Sequence, residues 1–239
     1  MGKPVSRPRF VRSGRLPVRI DLEDFAIAKE CIKSMSINYA DINWEHIGHA
    51  NYVVAMTAWE GALYAATRED KLWIRVAVPG DVHWQAIGHA NDVVGMAASE
   101  KKLFAATKDG RLWVREPVAE DAKWDKIGRA NTVAAMTAWD GKLYAVTSDN
   151  KLWVRDANLE DLDWQAIGRA NGVVGLAAAD GKLYAATSDN KLWVREANLE
   201  DLTWEAIGHA NDVVAMAAWE EKLFAATADN RLWMRPAFV

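Results

Sequence analysis

A unit of about 40 residues repeats along most of this chain. Residues 151–190 and 191–230 are identical at 28 of 40 positions, and each unit carries two tryptophans at fixed places. A tryptophan precedes each x-x-Ile-Gly segment, at Trp44, Trp84, Trp124, Trp164 and Trp204. Another stands in each Leu-Trp-x-Arg segment, at Trp73, Trp113, Trp153, Trp193 and Trp233. A fixed period of this length indicates a solenoid or a propeller, because a 40-residue unit cannot bury its apolar faces alone.

Each unit contains four short apolar segments separated by turn-forming residues. In the first complete copy the segments are residues 53–58, 63–67, 72–75 and 84–87. Such short segments, rich in Val, Ile, Thr and aromatic residues, favour strands over helices. The dipeptides Asp140-Gly141 and Asp180-Gly181 are typical of tight hairpin turns. Four antiparallel strands per unit predict a β-propeller blade, and the frequent breakers exclude helical repeats of similar period.

The two ends of the array predict how the propeller closes. The array begins with a Trp-x-x-Ile-Gly segment at residues 44–47 and ends with a Leu-Trp-x-Arg segment at residues 232–235. We therefore expect the first segment to pair beside the last, which closes an all-β, five-bladed propeller over residues 37–239 without an open sheet edge. The Val-rich strand should be innermost, because its Ala or Gly at positions 55, 95, 135, 175 and 215 suits crowding near the axis.

The first 36 residues lie outside the repeat. Residues 1–20 contain six basic residues and no acid, which predicts a flexible basic arm. Residues 21–35 predict an amphipathic helix that covers an edge of the array or mediates dimerisation. Its apolar stripe consists of Leu22, Phe25, Ala28, Ile32 and Met35. No signal-peptide core and no run of 18 apolar residues is present, so a cytoplasmic location without a membrane span is the default expectation.

Charge and residue types exclude several functions. The net charge is −4, and because the arm carries +6, the rest carries −4 − 6 = −10, which disfavours nucleic-acid binding. The single Cys31 excludes an intramolecular disulfide framework. No nucleophile motif, cofactor motif or metal-ligand spacing is present, and His49 and His89 lie one blade apart. We therefore expect neither an enzyme nor a bound cofactor or metal ion.

The order of segments between about residues 37 and 235 resembles a known family. A Trp-x-x-Ile-Gly segment, a Val-rich strand, a Leu-Tyr-Ala strand and a Leu-Trp-x-Arg strand are similar to those of the tectonin and tachylectin-2-like propellers. The resemblance implies lectin activity, with N-acetylated hexosamines as the ligand class and glycans or glycoconjugates as partners.

One face of the propeller should carry a ring of polar side chains, because the crossing between blades and the second hairpin emerge there together. The ring is expected to contain His49, His89, Arg129, Arg169 and His209 together with Asp70, Asp109, Asp149, Asp189 and Asp229. Repeated donors and acceptors suit a hydroxyl-rich ligand, although a solvated ring of charge is the alternative. The repeated tryptophans are expected in the core. The crossing should be capped by Asn51, Asn91, Asn131, Asn171 and Asn211.

The opposite face carries a feature that differs between repeats. Trp59, Trp139 and Trp219 end the inner strand in blades one, three and five, whereas Ser99 and Ala179 take that place in blades two and four. A requirement of the core should hold in all five copies. These tryptophans are therefore either a stacking platform for sugars or a packing variant of odd blades, and Asp161 or Asp201 could accept hydrogen bonds from a sugar beside them.

Three functional hypotheses follow from the sequence. The first is a multivalent carbohydrate-binding propeller, because weak sites copied around a ring gain from avidity. The second is a protein-interaction scaffold that binds a partner through the N-terminal helix. The third is an amplified or designed array without a ligand, which the similarity of residues 151–190 to residues 191–230 would also produce.

Overall fold

The computed structural model describes residues 43–80, 82–160, 163–198 and 203–237, and within these ranges the chain is all-β. The strands form five four-stranded antiparallel sheets, one for each predicted blade. The predictions of a basic arm at residues 1–20 and of a helix at residues 21–35 lie outside the described residues. No helix long and apolar enough to cross a bilayer is present in the described part of the chain.

Every blade has the same strand order from the axis outward. The innermost strands are β2 (Val53–Trp59), β6 (Val93–Ser99), β10 (Val133–Trp139), β14 (Val173–Ala179) and β18 (Val213–Trp219). The second strands are β3 (Ala62–Thr67), β7 (Lys102–Thr107), β11 (Lys142–Thr147), β15 (Lys182–Thr187) and β19 (Lys222–Thr227). The third strands are β4 (Lys71–Val76), β8 (Arg111–Arg115), β12 (Lys151–Asp156), β16 (Lys191–Glu196) and β20 (Arg231–Pro236). The outermost strands are β1 (Glu45–His49), β5 (Gln85–His89), β9 (Asp125–Arg129), β13 (Gln165–Arg169) and β17 (Glu205–His209).

The predicted closure of the ring is confirmed. Strand β1 pairs antiparallel with β20, with Glu45 opposite Met234 and His49 opposite Arg231. The fifth blade therefore has the order β18-β19-β20-β1. The five innermost strands contact one another in sequence around the axis, and β18 returns to contact β2. The fold is a closed five-bladed propeller whose first strand completes the last blade.

The core lies between neighbouring sheets. Met56 of blade one and Phe224 of blade five, for example, belong to the same apolar cluster. Two leucines per blade have no exposed surface: Leu63, Leu103, Leu143, Leu183, Leu223, Leu72, Leu112, Leu152, Leu192 and Leu232. Burying each such side chain contributes roughly 2 kcal/mol relative to exposure. The ring is therefore stabilised mainly by sheet-on-sheet packing, repeated five times.

Crowding at the axis explains the small residues of the innermost strands. A Cβ atom added at Gly95 would lie 3.0 Å from Val133 Cγ1 and 3.1 Å from Met136 Cβ of the next blade. A Cβ atom at Gly175 would lie 3.0 Å from Met216 Cγ in the same way. Because these contacts are closer than side chains normally approach, the neighbouring blade would have to move.

The repeated tryptophans are not fully in the core, which corrects the expectation from sequence. Each is partly buried at the outer part of the propeller. The Trp84 indole Nε1 donates to the His49 carbonyl oxygen of the preceding blade at 2.7 Å, and the Arg75 guanidinium lies 5.7 Å from the Trp84 ring centroid. The same donation links Trp44, Trp124, Trp164 and Trp204 to the preceding blade. Tryptophan takes this place because it combines a large apolar ring with one N–H donor, so it can join two blades where water has access.

Candidate functional site

A recess opens between neighbouring blades on the face that carries the crossings and the second hairpins. Four of these interblade recesses have volumes of 220, 340, 390 and 390 Å³. In the recess between blades one and two, the indoles of Trp113 and Trp124 contribute to the wall. Its polar lining consists of His89, Asn91, Asp92, Thr107, Asp109 and Arg111. Each recess therefore combines residues from two consecutive repeats.

An ionised aspartate of the second hairpin lines three of these recesses, at Asp109, Asp149 and Asp189, and Asp229 takes the equivalent place in blade five. Thr147 Oγ1 donates to Asp149 Oδ1 at 2.5 Å, and Lys151 Nζ lies 2.8 Å from Asp149 Oδ2. The hydrogen bonds from Lys151 and then from Thr147 lower the pKa of Asp149 to about 2. The pKa values of the equivalent Asp109, Asp189 and Asp229 are also lowered by hydrogen bonds of these kinds. These carboxylates are hydrogen-bond acceptors at neutral pH.

Asp70 lies in the second hairpin on the expected face, but its role differs from that of those aspartates. Glu69 takes the place of Asp149 in blade one, and Asp70 takes the place of Asn150. Asp70 Oδ1 accepts a hydrogen bond from the Asp92 backbone N–H at 2.9 Å. The side chains of Asn150, Asn190 and Asn230 accept the same bond from the next crossing. These residues have left-handed backbone conformations, which Asp and Asn tolerate well, and they cap the crossings.

The asparagine that precedes each crossing turn was expected to cap the crossing. At four crossings another side chain provides the cap, so this expectation is wrong there. Asn51, Asn91, Asn131 and Asn171 instead line the recesses, and their side chains are exposed. Sequence reasoning missed them as site residues because Asn is common in turns. These asparagines are present in all five copies, and a second asparagine or aspartate accompanies them in four, with Gly110 as the exception. This duplication is the signal that could have identified them.

The histidines and arginines predicted for this face are the last residues of the outermost strands, and they are exposed. His49, His89 and Arg129 line recesses, whereas Arg169 and His209 occupy the equivalent strand ends. The structure brings His89 together with Asp109, and Arg129 together with Asp149. The five histidine and arginine side chains predicted for this face therefore lie one at each junction between blades.

The opposite face has one cavity of 730 Å³, lined by residues from the ends of all five innermost strands. Trp59, Trp139 and Trp219 line it and are partly buried. Each also packs on the apolar cluster shared with the following blade. Ser99 and Ala179 take the intervening places and are 7% and 4% exposed. These tryptophans were interpreted from the sequence either as a stacking platform or as a packing variant of odd blades. The two interpretations are compatible, because one indole ring can pack on a blade and also line the cavity. Asp161 and Asp201 lie outside the described residues.

No group of three or more His, Cys, Asp or Glu side chains in the described ranges is arranged to hold a metal ion.

Comparisons with known proteins bear on the fold. No family model matches the sequence, and no curated protein matches it. A solved structure of glutaminyl cyclase from Myxococcus xanthus is 13% identical, with 82% of this chain and 95% of that chain covered and a TM-score of 0.61. A chain of a nidogen/laminin complex is 10% identical, with 74% and 72% covered and a TM-score of 0.55. At these identities the similarity is informative about the propeller fold alone, and the resemblance to the tectonin and tachylectin-2-like family stays a prediction.

Proposed function

We propose that this chain is a multivalent carbohydrate-binding propeller whose sites are the interblade recesses, with N-acetylated hexosamines as the ligand class. The supporting observation is the repetition of one lining at successive junctions. An exposed asparagine, tryptophan indoles and an acidic side chain of the second hairpin recur in the recesses. Structural needs alone do not explain this asparagine at four of the five crossings, because there the side chain of Asp70, Asn150, Asn190 or Asn230 provides the cap.

The chemistry of the lining matches a sugar ring. A pyranose has an apolar face, which packs on aromatic rings such as those of Trp113 and Trp124. Its hydroxyl and acetamido groups both donate and accept hydrogen bonds. The Asn91 amide can do both, and the ionised Asp109 accepts.

The size of the recesses limits the ligand. The volume of 220 Å³ lies below the usual range of ligand pockets, about 300–1,000 Å³, and that of 390 Å³ lies near its lower end. A recess of this size accommodates one sugar residue with a small substituent rather than an oligosaccharide. Five weak sites around one ring then bind a surface that presents many sugars far more tightly than a free sugar.

A glycan array with matched variants tests both the function and the location of the site. In the first variant, alanine replaces the recess asparagines Asn51, Asn91, Asn131, Asn171 and Asn211. In the second, alanine replaces the central tryptophans Trp59, Trp139 and Trp219. We expect the first variant to lose array binding and the second to retain it. Loss in the second alone would place the sugar at the central tryptophans, and silence of the unmodified protein on all N-acetylated and neutral sugars would contradict the function.

A further inference from the structure

The central cavity on the face opposite the recesses has a lining of a different character. Three tryptophans line it, and its floor is made of alanines such as Ala98 and Ala138. Among the described residues that line it, the charged ones are all acidic: Glu100, Asp140, Asp180, Glu220 and Glu221. We propose that this cavity binds an alkylated ammonium group, at a site independent of the interblade recesses.

Aromatic faces provide the first part of the argument. Trp59, Trp139 and Trp219 converge on one cavity from three blades. The face of an indole attracts a cation through its negative quadrupole, and tryptophan does so best among the aromatic residues. Several aromatic rings around one apolar space are the arrangement that recognises methylated ammonium groups, because the methyl groups contact the rings while the charge is stabilised.

The charge at the mouth provides the second part. Asp140, Asp180 and Glu220 stand in the first hairpins and are exposed at the rim. Lysines follow in the same hairpins, but Lys102 Nζ pairs with Glu116 at 3.0 Å, and Lys142 Nζ pairs with Asp156 at 2.7 Å. Glu116 and Asp156 follow or end the third strands, so these ammonium groups are held at the sheets rather than over the cavity. Lys101, Lys182 and Lys222 also stand in or beside these hairpins, but none of them lines the cavity, whereas five acidic residues do. The cavity lining therefore carries a net negative charge that attracts cations and repels anions.

The Ser99 hydroxyl group adds a polar atom to this lining. Ser99 lines the cavity and is 7% exposed as a residue. Its hydroxyl group can donate a hydrogen bond to, or accept one from, a polar substituent of a ligand whose cationic head lies between the tryptophans.

The same lining disfavours other ligands. A metal ion needs several converging carboxylates, and no such group is present in the described ranges. A bare ammonium group is strongly hydrated, whereas an alkylated one exposes methyl groups that gain from contact with tryptophan and alanine. The chemistry is therefore that of choline-like small molecules or of methylated lysine in a peptide.

Calorimetric titration of the purified full chain with choline tests the proposal. The control is 3,3-dimethylbutan-1-ol, which has the same shape with carbon in place of the charged nitrogen. We expect choline to bind and the uncharged analogue to bind at least about tenfold more weakly, because cation–π attraction of this kind is lost. Equal binding of the two compounds would overturn the proposal.

Two pairs of substitutions locate the site. Asp140→Asn with Asp180→Asn should weaken choline binding about threefold, as expected for exposed charges. Asp92→Asn with Asp212→Asn is the matched control, because all four aspartates are exposed and have left-handed backbones, and this pair lies on the opposite face. Binding that responds to the control pair instead would overturn the proposal.

Trp139→Ala should abolish detectable choline binding, because it removes one of the three indole rings that line the cavity. Unchanged binding in that variant would overturn the proposal as well.

Two further titrations distinguish the source of the ammonium group. One uses a peptide with a single trimethyllysine and the other uses the same peptide with unmodified lysine. Binding of the methylated peptide alone supports a protein partner, and binding of choline alone supports a small-molecule ligand. Failure of both choline and the methylated peptide to bind would overturn the proposal, whatever the glycan array shows.

Discussion

At the scale of single residues, the repeated tryptophan before each outermost strand joins two blades through one hydrogen bond. The indole of Trp124 donates to the His89 carbonyl oxygen at 2.8 Å, and the guanidinium of Arg115 lies 5.6 Å from the ring centroid. Arg115 is 3% exposed, so the ring covers a cation that is almost fully withdrawn from water. The tryptophan therefore stabilises the junction through its N–H group, its ring area and its attraction for the guanidinium.

Replacing Trp124 with phenylalanine isolates the contribution of the N–H group. The aromatic ring remains, but the His89 carbonyl oxygen loses its donor. We expect the free energy of unfolding to fall by about 0.5–1.5 kcal/mol, the usual net contribution of a hydrogen bond, because this bond lies where water has access. Chemical denaturation measures the change. Trp139→Phe serves as the control, because that indole lines the central cavity, and an equal loss in both variants would contradict the role of the hydrogen bond.

The pKa of Asp149 provides a second prediction at this scale. Its pKa of about 2 depends first on Lys151 and then on Thr147. Lys151→Gln should raise it toward the ordinary value of 3.8, as carbon-13 NMR titration of the carboxyl group would show. The Asp149 side chain is exposed, so the shift concerns its charge more than the stability of the fold. The pKa of this carboxyl group is lower in the folded state than its ordinary value. Any stabilisation that the ionised group gives the fold is therefore present above pH 4 and is lost as the pH falls toward 2. Lys191→Gln is the control, which should raise the pKa of Asp189 and leave that of Asp149 unchanged.

At the scale of elements, much of the fold could be predicted because every strand recurs five times. The turn dipeptides, the strand lengths and the pairing of β1 with β20 all followed from segment order. The backbone irregularities did not. Gly88 has φ of 133° beside a register shift between β4 and β5, and a Cβ atom there would meet Asp121. The sequence shows an invariant glycine at this place, but only the structure shows that a β-bulge requires it.

The contribution of the closing strand β1 to stability can be compared with that of β5, whose partner strand β4 is its neighbour in the chain. Ile47 of β1 and Ile87 of β5 hold equivalent places and are 3% and 2% exposed. Strand β5 follows β4 in the chain, whereas β1 must pair with a strand from the far end. We expect Ile47→Ala and Ile87→Ala each to lower the free energy of unfolding by about 2–5 kcal/mol, measured by denaturant titration. A negligible loss for Ile47→Ala alone would show that β1 does not complete the last blade.

At the scale of the whole molecule, the sites were harder to predict than the fold because each recess belongs to two repeats. Trp113 and Asp109 come from one blade, whereas Asn91 stands in the crossing that precedes it. Reading one repeat at a time separates these residues, and only the packing of consecutive sheets brings them together. The central cavity was easier to anticipate, because its tryptophans differ between copies and thus depart from the repeat.

If the interblade recesses bind sugars as proposed, avidity is a property of the ring rather than of any one site. A variant with alanine at Asn51, Asn131 and Asn211 keeps two recesses intact, at Asn91 and Asn171. If the sites are independent, calorimetry with a free monosaccharide should give an unchanged dissociation constant for each remaining site. Binding to a dense glycan surface should nevertheless weaken by about 100-fold or more, because fewer sites on one molecule engage it together. If surface binding falls only in proportion to the number of sites, the recesses do not act together, and the ring geometry contributes nothing to recognition.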